Sequence, residues 1–132
     1  MAASTTEEKQ SKRFMDQWLD DDDVAAKYAR AEKATKPFAE IMLQKAGVSG
    51  FTGNEQILDI ATGTGAVIAA LHEAVGKEKQ DGLKIVAGDI SDSMLEYVGK
   101  RAERDGWKGV DLRKINGVVS LFGSRSMYNW CI

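Results

Sequence analysis

A glycine-rich turn between two apolar segments constrains the fold of this chain more than any other feature. The short apolar run Gln56–Ile60 leads into the turn Ala61–Gly65, and an apolar-striped helix is expected directly after it. Gly63 and Gly65 carry no Cβ, so a ligand can approach the backbone of the turn closely. The first N–H groups of the following helix can bind a carboxylate or a phosphate. The pattern predicts a strand, a turn and a helix that form a ligand site.

The alternation of strand and helix continues after this turn. Leu83–Ala87 is predicted to be a second strand, which Gly88–Asp89 ends. A helix is expected from about Ser91 to Arg104, and Gly109–Ile115 is expected to form a third strand. Strands that alternate with helices at this spacing predict an α/β fold with a parallel sheet and right-handed crossovers.

The segment before the turn has the periodicity of a helix. Between Val24 and Ala46 the apolar side chains recur at helical spacing. Pro37 is expected to split this stretch, with Thr35 as the cap of the second helix and Gly47 as its stop. The acidic run Asp20–Asp23 is expected to be a solvated helix start.

An acidic residue at the end of the second strand suggests what the turn binds. Asp89 would reach the same crevice as the turn and could accept hydrogen bonds from two ribose hydroxyls. A dinucleotide fingerprint requires a third glycine where this chain has Ile68, which disfavours the phosphate turn of a dehydrogenase. Asp59 suits a ligand with an ammonium group better than a pyrophosphate. The residues therefore predict a ligand that contains a nucleoside.

Two motifs together resemble a known family. Ile57–Gly65 resembles the first motif of class I S-adenosylmethionine-dependent methyltransferases, and Val86–Leu95 resembles their second motif. The subgroup that it resembles includes the quinone-biosynthesis C-methyltransferases and many fungal natural-product enzymes. The resemblance covers about residues 28–117. It implies a partial Rossmann-like methyltransferase sheet with strand order 3-2-1 and N-terminal helices.

The resemblance also implies a cofactor, S-adenosyl-L-methionine, and the residues that bind it. The turn would lie along the methionine part of the cofactor, and Asp59 would lie near its ammonium group. Asp89 would bind the ribose hydroxyls, and Ile90 would pack on the adenine. Alanine replaces the first glycine of the motif, which is tolerable if its φ is negative. The expected cofactor-binding residues are Asp59, Ala61, Gly63, Gly65, Asp89 and Ile90.

Other reactive side chains give no further site. His72 is expected to be a surface or boundary residue, and Trp18, Trp107 and Trp130 are expected to be packing or tail residues. The lone Cys131 cannot form an internal disulfide or a metal cage. No residue is assigned as catalytic, and no metal site is expected.

The resemblance ends before the family domain would be complete. Only strands 1 to 3 can be assigned, and residues 118–132 resemble no part of the family. The three predicted segments are an N-terminal helical segment (1–47), the first half of the cofactor-binding domain (48–117) and a tail outside the family (118–132). We expect a truncated gene product, with an open edge at strand 1 that the apolar tail could partly cover.

Composition excludes several classes of partner. The formal net charge of −2 provides no basic field for nucleic acid or acidic lipid. No apolar stretch is long enough to span a bilayer, and the N-terminus lacks a signal core, so we expect a soluble, cytoplasmic protein.

The favoured function is transfer of a methyl group to a small molecule, by an enzyme that truncation could have inactivated. Two alternatives stay open. One is a non-enzymatic remnant or interaction protein that associates with itself through the open sheet edge, and the other is a fragment of a nucleotide-binding oxidoreductase.

Overall fold

The computed structural model describes residues 24–117 and 130–131, and their strands form one parallel sheet. The strands are β1 (Gln56–Ile60), β2 (Lys84–Asp89), β3 (Val110–Lys114) and β4 (Trp130–Cys131). Their order is β3-β2-β1-β4, and each neighbouring pair is parallel. The predicted α/β class and the strand order 3-2-1 are confirmed.

The fourth strand lies where the sequence predicts an open edge. Trp130 and Cys131 pair with Ile57 and Leu58 of β1. The C-terminal tail therefore covers part of this edge, as its apolar composition suggests. The contact extends over two positions only, because β4 is two residues long.

One helix precedes the first strand in sequence, and the other helices lie between strands. They are α1 (Val24–Lys45), α2 (Ala66–Ala74), α3 (Lys77–Gln80) and α4 (Asp92–Asp105), and a short 3-10 turn, Val48–Gly50, follows α1. Within residues 24–117, no helix is both long and apolar enough to cross a membrane.

The predicted break at Pro37 is wrong. Helix α1 runs through Pro37 without interruption, and the Thr35 hydroxyl donates to the Glu32 carbonyl oxygen (3.1 Å) instead of capping a second helix. Pro37 lies on the exposed face of the helix, where water can hydrate the carbonyl group that a proline leaves without its N–H partner. Gly47 follows the helix with a φ of 79°, and this confirms it as the stop. The acidic run Asp20–Asp23 lies outside the described residues.

One apolar core joins the helices to a single face of the sheet. Successive strand residues alternate between faces, and the buried residues Ile57, Ile85 and Ala87 share one of them. Side chains from α1, α2 and α4 pack onto this face; among them are Ala39, Leu43, Ile68, Leu71 and Val98. The predicted segment boundaries 1–47, 48–117 and 118–132 stay predictions, although α1 shares this core with the strands.

His72 is a buried packing residue rather than a surface one. Its Nδ1 donates to the Ile68 carbonyl oxygen (2.9 Å), and its Nε2 accepts a hydrogen bond from the Lys108 backbone N–H (3.1 Å). Its ring stacks on Trp107 with 5.6 Å between the centroids. The expectation of a surface or boundary position is wrong because the α4–β3 connection, distant in sequence, folds over this part of α2. Trp107 packs as expected, whereas Trp18 and the side chains of Trp130 and Cys131 lie outside what the structure describes.

Candidate functional site

The candidate site lies at the carboxyl ends of β1 and β2. Asp59 is paired with Ala87 in the sheet register, and Asp89 is the last residue of β2. Both aspartates therefore lie on the face that carries the helices. The backbone N–H of Thr62 donates to the Gly88 carbonyl oxygen (2.9 Å), so the turn after β1 stays beside the end of β2.

The turn alternates left-handed residues with ordinary ones. Ala61, Gly63 and Gly65 have φ values of 61°, 55° and 81°. A negative φ was the condition under which alanine is tolerable at this position, and that condition is not met. The path from β1 into α2 requires a left-handed residue at this position, where the Cβ of alanine costs about 1–2 kcal/mol. Ala61 is the one residue other than glycine with a positive φ in the described part of the chain.

The two glycines of the turn are required for different reasons. A Cβ on Gly63 would meet only the Ala61 carbonyl oxygen at 3.9 Å, so space is available and the φ alone favours glycine. A Cβ on Gly65 would lie 3.1 Å from the Trp107 ring and 3.5 Å from Val98. Gly65 therefore allows the α4–β3 connection to pack closely on the start of α2.

Asp89 joins the glycine-rich turn to the start of α4. Its Oδ2 accepts a hydrogen bond from the Gly63 N–H (2.9 Å), and its Oδ1 accepts one from the Ser91 N–H (2.9 Å). Ser91 in turn caps α4, because its hydroxyl accepts from the Met94 N–H (3.3 Å). The carboxylate therefore holds two loops in a fixed relation before any ligand is considered.

Asp59 is a buried carboxylate that accepts a hydrogen bond from a neutral side chain. Its exposed fraction is 4%, and the Thr62 hydroxyl donates to its Oδ2 (2.7 Å). Burial raises the pKa of Asp59 to about 6; the Thr62 bond opposes this shift and the charge of Asp89 adds to it. A positive charge beside this carboxylate would stabilise its ionised form.

The predicted site residues come together at one edge, although they differ in exposure. Gly63 contacts Asp89 directly, and Asp59 is close enough to Asp89 for the two charges to influence each other. Ile90 follows Asp89 with 37% of its surface exposed, so it offers an apolar contact beside the carboxylate. No group of three or more His, Cys, Asp or Glu side chains that could hold a metal ion occurs within the described residues.

The sequence did not predict a partly buried ion pair that contacts the turn. Glu32 of α1 and Arg101 of α4 form two hydrogen bonds of 2.6 and 2.8 Å, with side chains 14% and 15% exposed. Both residues also bond to Thr64 in the turn. Helical periodicity gives no signal for such a pair, because its members lie on different helices and far apart in sequence.

Comparison with known proteins identifies relatives of this chain. A family model described as the ubiE/COQ5 methyltransferase family matches residues 26–127, which is most of the chain. The match ends at residue 127 and so extends beyond residue 117, where the resemblance read from the sequence ends.

Two curated relatives are fungal methyltransferases. Methyltransferase ktnA of Aspergillus niger is 32% identical over 95 residues, which cover 71% of this chain and 31% of that protein. The acetylaranotin bis-thiomethyltransferase of Aspergillus terreus is 37% identical over 84 residues, covering 63% of this chain and 31% of that protein. The chain thus spans about a third of the length of these relatives.

A solved structure shares the fold. Coclaurine N-methyltransferase, bound to N-methylheliamine and S-adenosylhomocysteine, superposes with a TM-score of 0.56 at 18% identity. The superposition covers 76% of this chain and 26% of that one. The described strands and helices are therefore arranged as in a methyltransferase domain.

Proposed function

Because the chain belongs to the ubiE/COQ5 methyltransferase family, we propose that it carries the first half of an S-adenosylmethionine site. The observation that carries this proposal is the hydrogen bond from the Gly63 N–H to Asp89, which joins the glycine-rich turn to the acidic residue of the second motif. Asp59 lies on the same face one strand away. The glycine-rich turn, Asp89 and Asp59 thus lie together at one sheet edge, where open α/β folds bind ligands.

The chemistry of these groups fits the cofactor. The buried carboxylate of Asp59, with its raised pKa, suits the ammonium group of the methionine part, whose charge would stabilise the ionised form. Asp89 can accept from ribose hydroxyls through lone pairs that its two backbone bonds leave available. Ile90 would supply an apolar contact for the adenine.

The start of α2 suits the carboxylate of the methionine part. Gly65 precedes the helix, and no side chain caps its first turn. The positive end of the helix dipole and its first N–H groups favour an anion there. Ammonium and carboxylate would thus have complementary partners on the two sides of the turn.

The proposed reaction is methyl transfer to a small molecule. When bound, S-adenosylmethionine supplies the methyl group on its sulfonium, and a nucleophilic atom of the substrate takes it in line while S-adenosylhomocysteine is left. The residues described contribute binding and orientation, which is the main requirement of such a displacement. A small-molecule substrate agrees with the name of the relative from Aspergillus terreus, an acetylaranotin bis-thiomethyltransferase.

The cofactor site and the complete reaction are two separate proposals. The chain spans about a third of its curated relatives, so we assign cofactor binding to the described residues. Methyl transfer is proposed for a protein that has the remainder of the family domain. The predicted truncation stays a prediction, as does self-association through the edge of β1.

Titration calorimetry tests the cofactor proposal. We expect heat on addition of S-adenosylmethionine or S-adenosylhomocysteine to this chain, and weaker binding of NAD in competition. Absence of heat at millimolar ligand would overturn cofactor binding by this chain. Preferential binding of NAD would favour the oxidoreductase alternative. Light scattering after gel filtration separately tests self-association, which a stable monomer would contradict.

Substitution of Asp89 tests where the ribose binds. Asp89→Ala removes an ionised acceptor, so affinity for S-adenosylmethionine should fall about ten- to a hundredfold. The control is Asp92→Ala, because Asp92 is exposed and its carboxylate bonds to Lys114 (2.8 Å) rather than to the turn. Equal affinity of the wild type and Asp89→Ala, both folded, would mean that the ribose binds elsewhere.

A second variant separates ribose binding from support of the loops. Asp89 also holds the Gly63 and Ser91 amides, so Asp89→Ala should lower the melting temperature as well. Asp89→Asn keeps the shape of the side chain and one acceptor oxygen. It should lose less stability than Asp89→Ala while still losing affinity.

A further inference from the structure

We propose that Glu32 and Arg101 are positioning residues that fix the conformation of the glycine-rich turn through Thr64. This inference rests on the proposed function, because the turn matters for activity only if it binds the cofactor. Neither residue belongs to the motifs from which the site was recognised.

Thr64 is held at two atoms by the ion pair. Its hydroxyl donates to Oε2 of Glu32 (2.9 Å), and its carbonyl oxygen accepts from Nη1 of Arg101 (3.0 Å). The same Nη1 donates to Oε2 of Glu32 (2.6 Å), so the three groups form a closed network. Thr64 is 6% exposed and lies between the two glycines of the turn. Its side chain and its backbone are therefore both fixed from outside the turn.

The opposite charges of Glu32 and Arg101 hold this network together against the cost of partial burial. Although burial acts to raise it, the pKa of Glu32 is lowered, because Arg101 and Thr64 donate hydrogen bonds to it and Arg101 adds its charge. Burial acts to lower the pKa of Arg101, but the bond to Glu32 and its charge outweigh this effect. The guanidinium also lies over the Trp107 ring, 5.1 Å from its centroid. Hydrogen bonds between charged groups in such a setting are stronger than neutral ones.

The turn needs this support because its own backbone is unfavourable. It contains three left-handed residues, and one of them is Ala61. Gly63 must also direct its N–H at Asp89, and Gly65 must stay under Trp107. If the binding-competent turn were populated only in part, the apparent affinity for a ligand would fall by that fraction. The Glu32–Arg101 pair thus links α1 to the fraction of molecules in which the turn has its binding-competent conformation.

A second ion pair on the same helix provides a matched control. Lys36 of α1 contacts Glu73 of α2 at 2.9 Å, with side chains 44% and 59% exposed. This pair also joins α1 to the rest of the fold, but it does not contact the turn. Exposed pairs contribute little to stability, so its loss should leave the turn unchanged.

The test compares substitutions at Thr64 with those in the two ion pairs. Thr64→Val keeps the branched shape and removes the hydroxyl donor, whereas Thr64→Ser keeps the hydroxyl. Glu32→Gln weakens the pair, and Glu73→Gln is the control. Calorimetry measures the affinity for S-adenosylmethionine. Amide hydrogen exchange of Gly63 and Gly65 in the ligand-free protein measures opening of the turn, because both amides are hydrogen-bonded.

We expect the turn variants and the control to separate. Thr64→Val and Glu32→Gln should weaken binding about tenfold and speed exchange at Gly63 and Gly65 by a similar factor, with no comparable change in β2. Thr64→Ser and Glu73→Gln should stay within about twofold of the wild type. Unchanged exchange and affinity in Thr64→Val and Glu32→Gln would overturn the inference.

A double variant distinguishes positioning from direct contact between Thr64 and the ligand. If both substitutions act through one network, Glu32→Gln combined with Thr64→Val should lose little more affinity than either alone. Additive losses would overturn the positioning role of Glu32. If the wild type binds no S-adenosylmethionine, the proposed function fails, and the exchange measurements still decide whether the pair holds the turn.

Discussion

The carboxyl edge of the sheet and the core beneath it make opposite contributions to the stability of the fold. In the core, Ile57, Ile85 and Leu71 are each 1% exposed and belong to one apolar cluster. At the edge, two strand positions further along β1, the chain buries the carboxylate of Asp59 and then forces Ala61 to a positive φ. Core residues lower the free energy of the folded state, whereas these edge residues raise it. Unfavourable features collected at one edge are typical of a functional site.

The largest effect is expected in the core. Leu71→Ala should lower the free energy of unfolding by about 2–5 kcal/mol, because it removes fully buried methyl groups and leaves a cavity. Urea unfolding followed by circular dichroism measures this loss. Met42→Ala is the control, since Met42 is 38% exposed and should lose less than half as much. Equal losses would remove the distinction between the core and the outer face of α1.

Substitution of Asp59 should raise the free energy of unfolding at pH 8, whereas substitution in the core lowers it. The pKa of Asp59 is raised from 3.8 to about 6, so its contribution to stability is fully present below pH 3.8 and is lost as the pH rises through about 6. Asp59→Asn removes the ionised form and should raise the free energy of unfolding at pH 8 by about 2–3 kcal/mol. Urea unfolding at pH 8 and at pH 3.5 measures the difference, which should vanish at the lower pH.

The same variant tests whether Asp59 binds the ammonium group of the cofactor. Asp59→Asn should bind S-adenosylmethionine more weakly, because the amide cannot pair with an ammonium group. A gain in stability together with a loss in affinity is expected where a functional residue opposes folding. If Asp59→Asn gains no stability at pH 8, the edge is not destabilised by this carboxylate.

Ala61 offers a smaller test of the same contrast. Ala61→Gly should relieve the left-handed strain but increase the entropy of the unfolded chain, for a net gain of about 0.5–1 kcal/mol. The matched control is Ala69→Gly within α2, where a glycine should cost about 0.5–1 kcal/mol. Melting temperatures of the two variants should move in opposite directions, and a loss of stability in Ala61→Gly would contradict the observed φ.

The smallest effect is expected on the outer face of α1. Phe38 is 73% exposed, so Phe38→Gln should change the free energy of unfolding by no more than about 0.5 kcal/mol. Urea unfolding measures it, with Leu71→Ala as the reference for a buried residue. A loss above 1 kcal/mol would show that Phe38 is covered in solution.

The family and the site edge could be predicted because their signals are local in sequence. Strand β1 occupies the residues predicted for it, and Asp89 ends β2 beside the turn. The patterns that predict a short apolar strand, a glycine-rich turn and an amphipathic helix each involve only residues close together in sequence. The parallel order then follows from the length of the connections. The roles of Asp59, Asp89 and Ile90 toward the cofactor stay predictions.

Only the tertiary structure decided how residues distant in sequence act on one another. His72 is buried because Trp107 and Lys108 lie against it. Glu32 and Arg101 meet because α1 and α4 pack on the same face of the sheet, and periodicity within either helix cannot report such a pair. Sequence patterns reflect the preferences of nearby residues, whereas burial and ion pairing depend on which elements pack together in space.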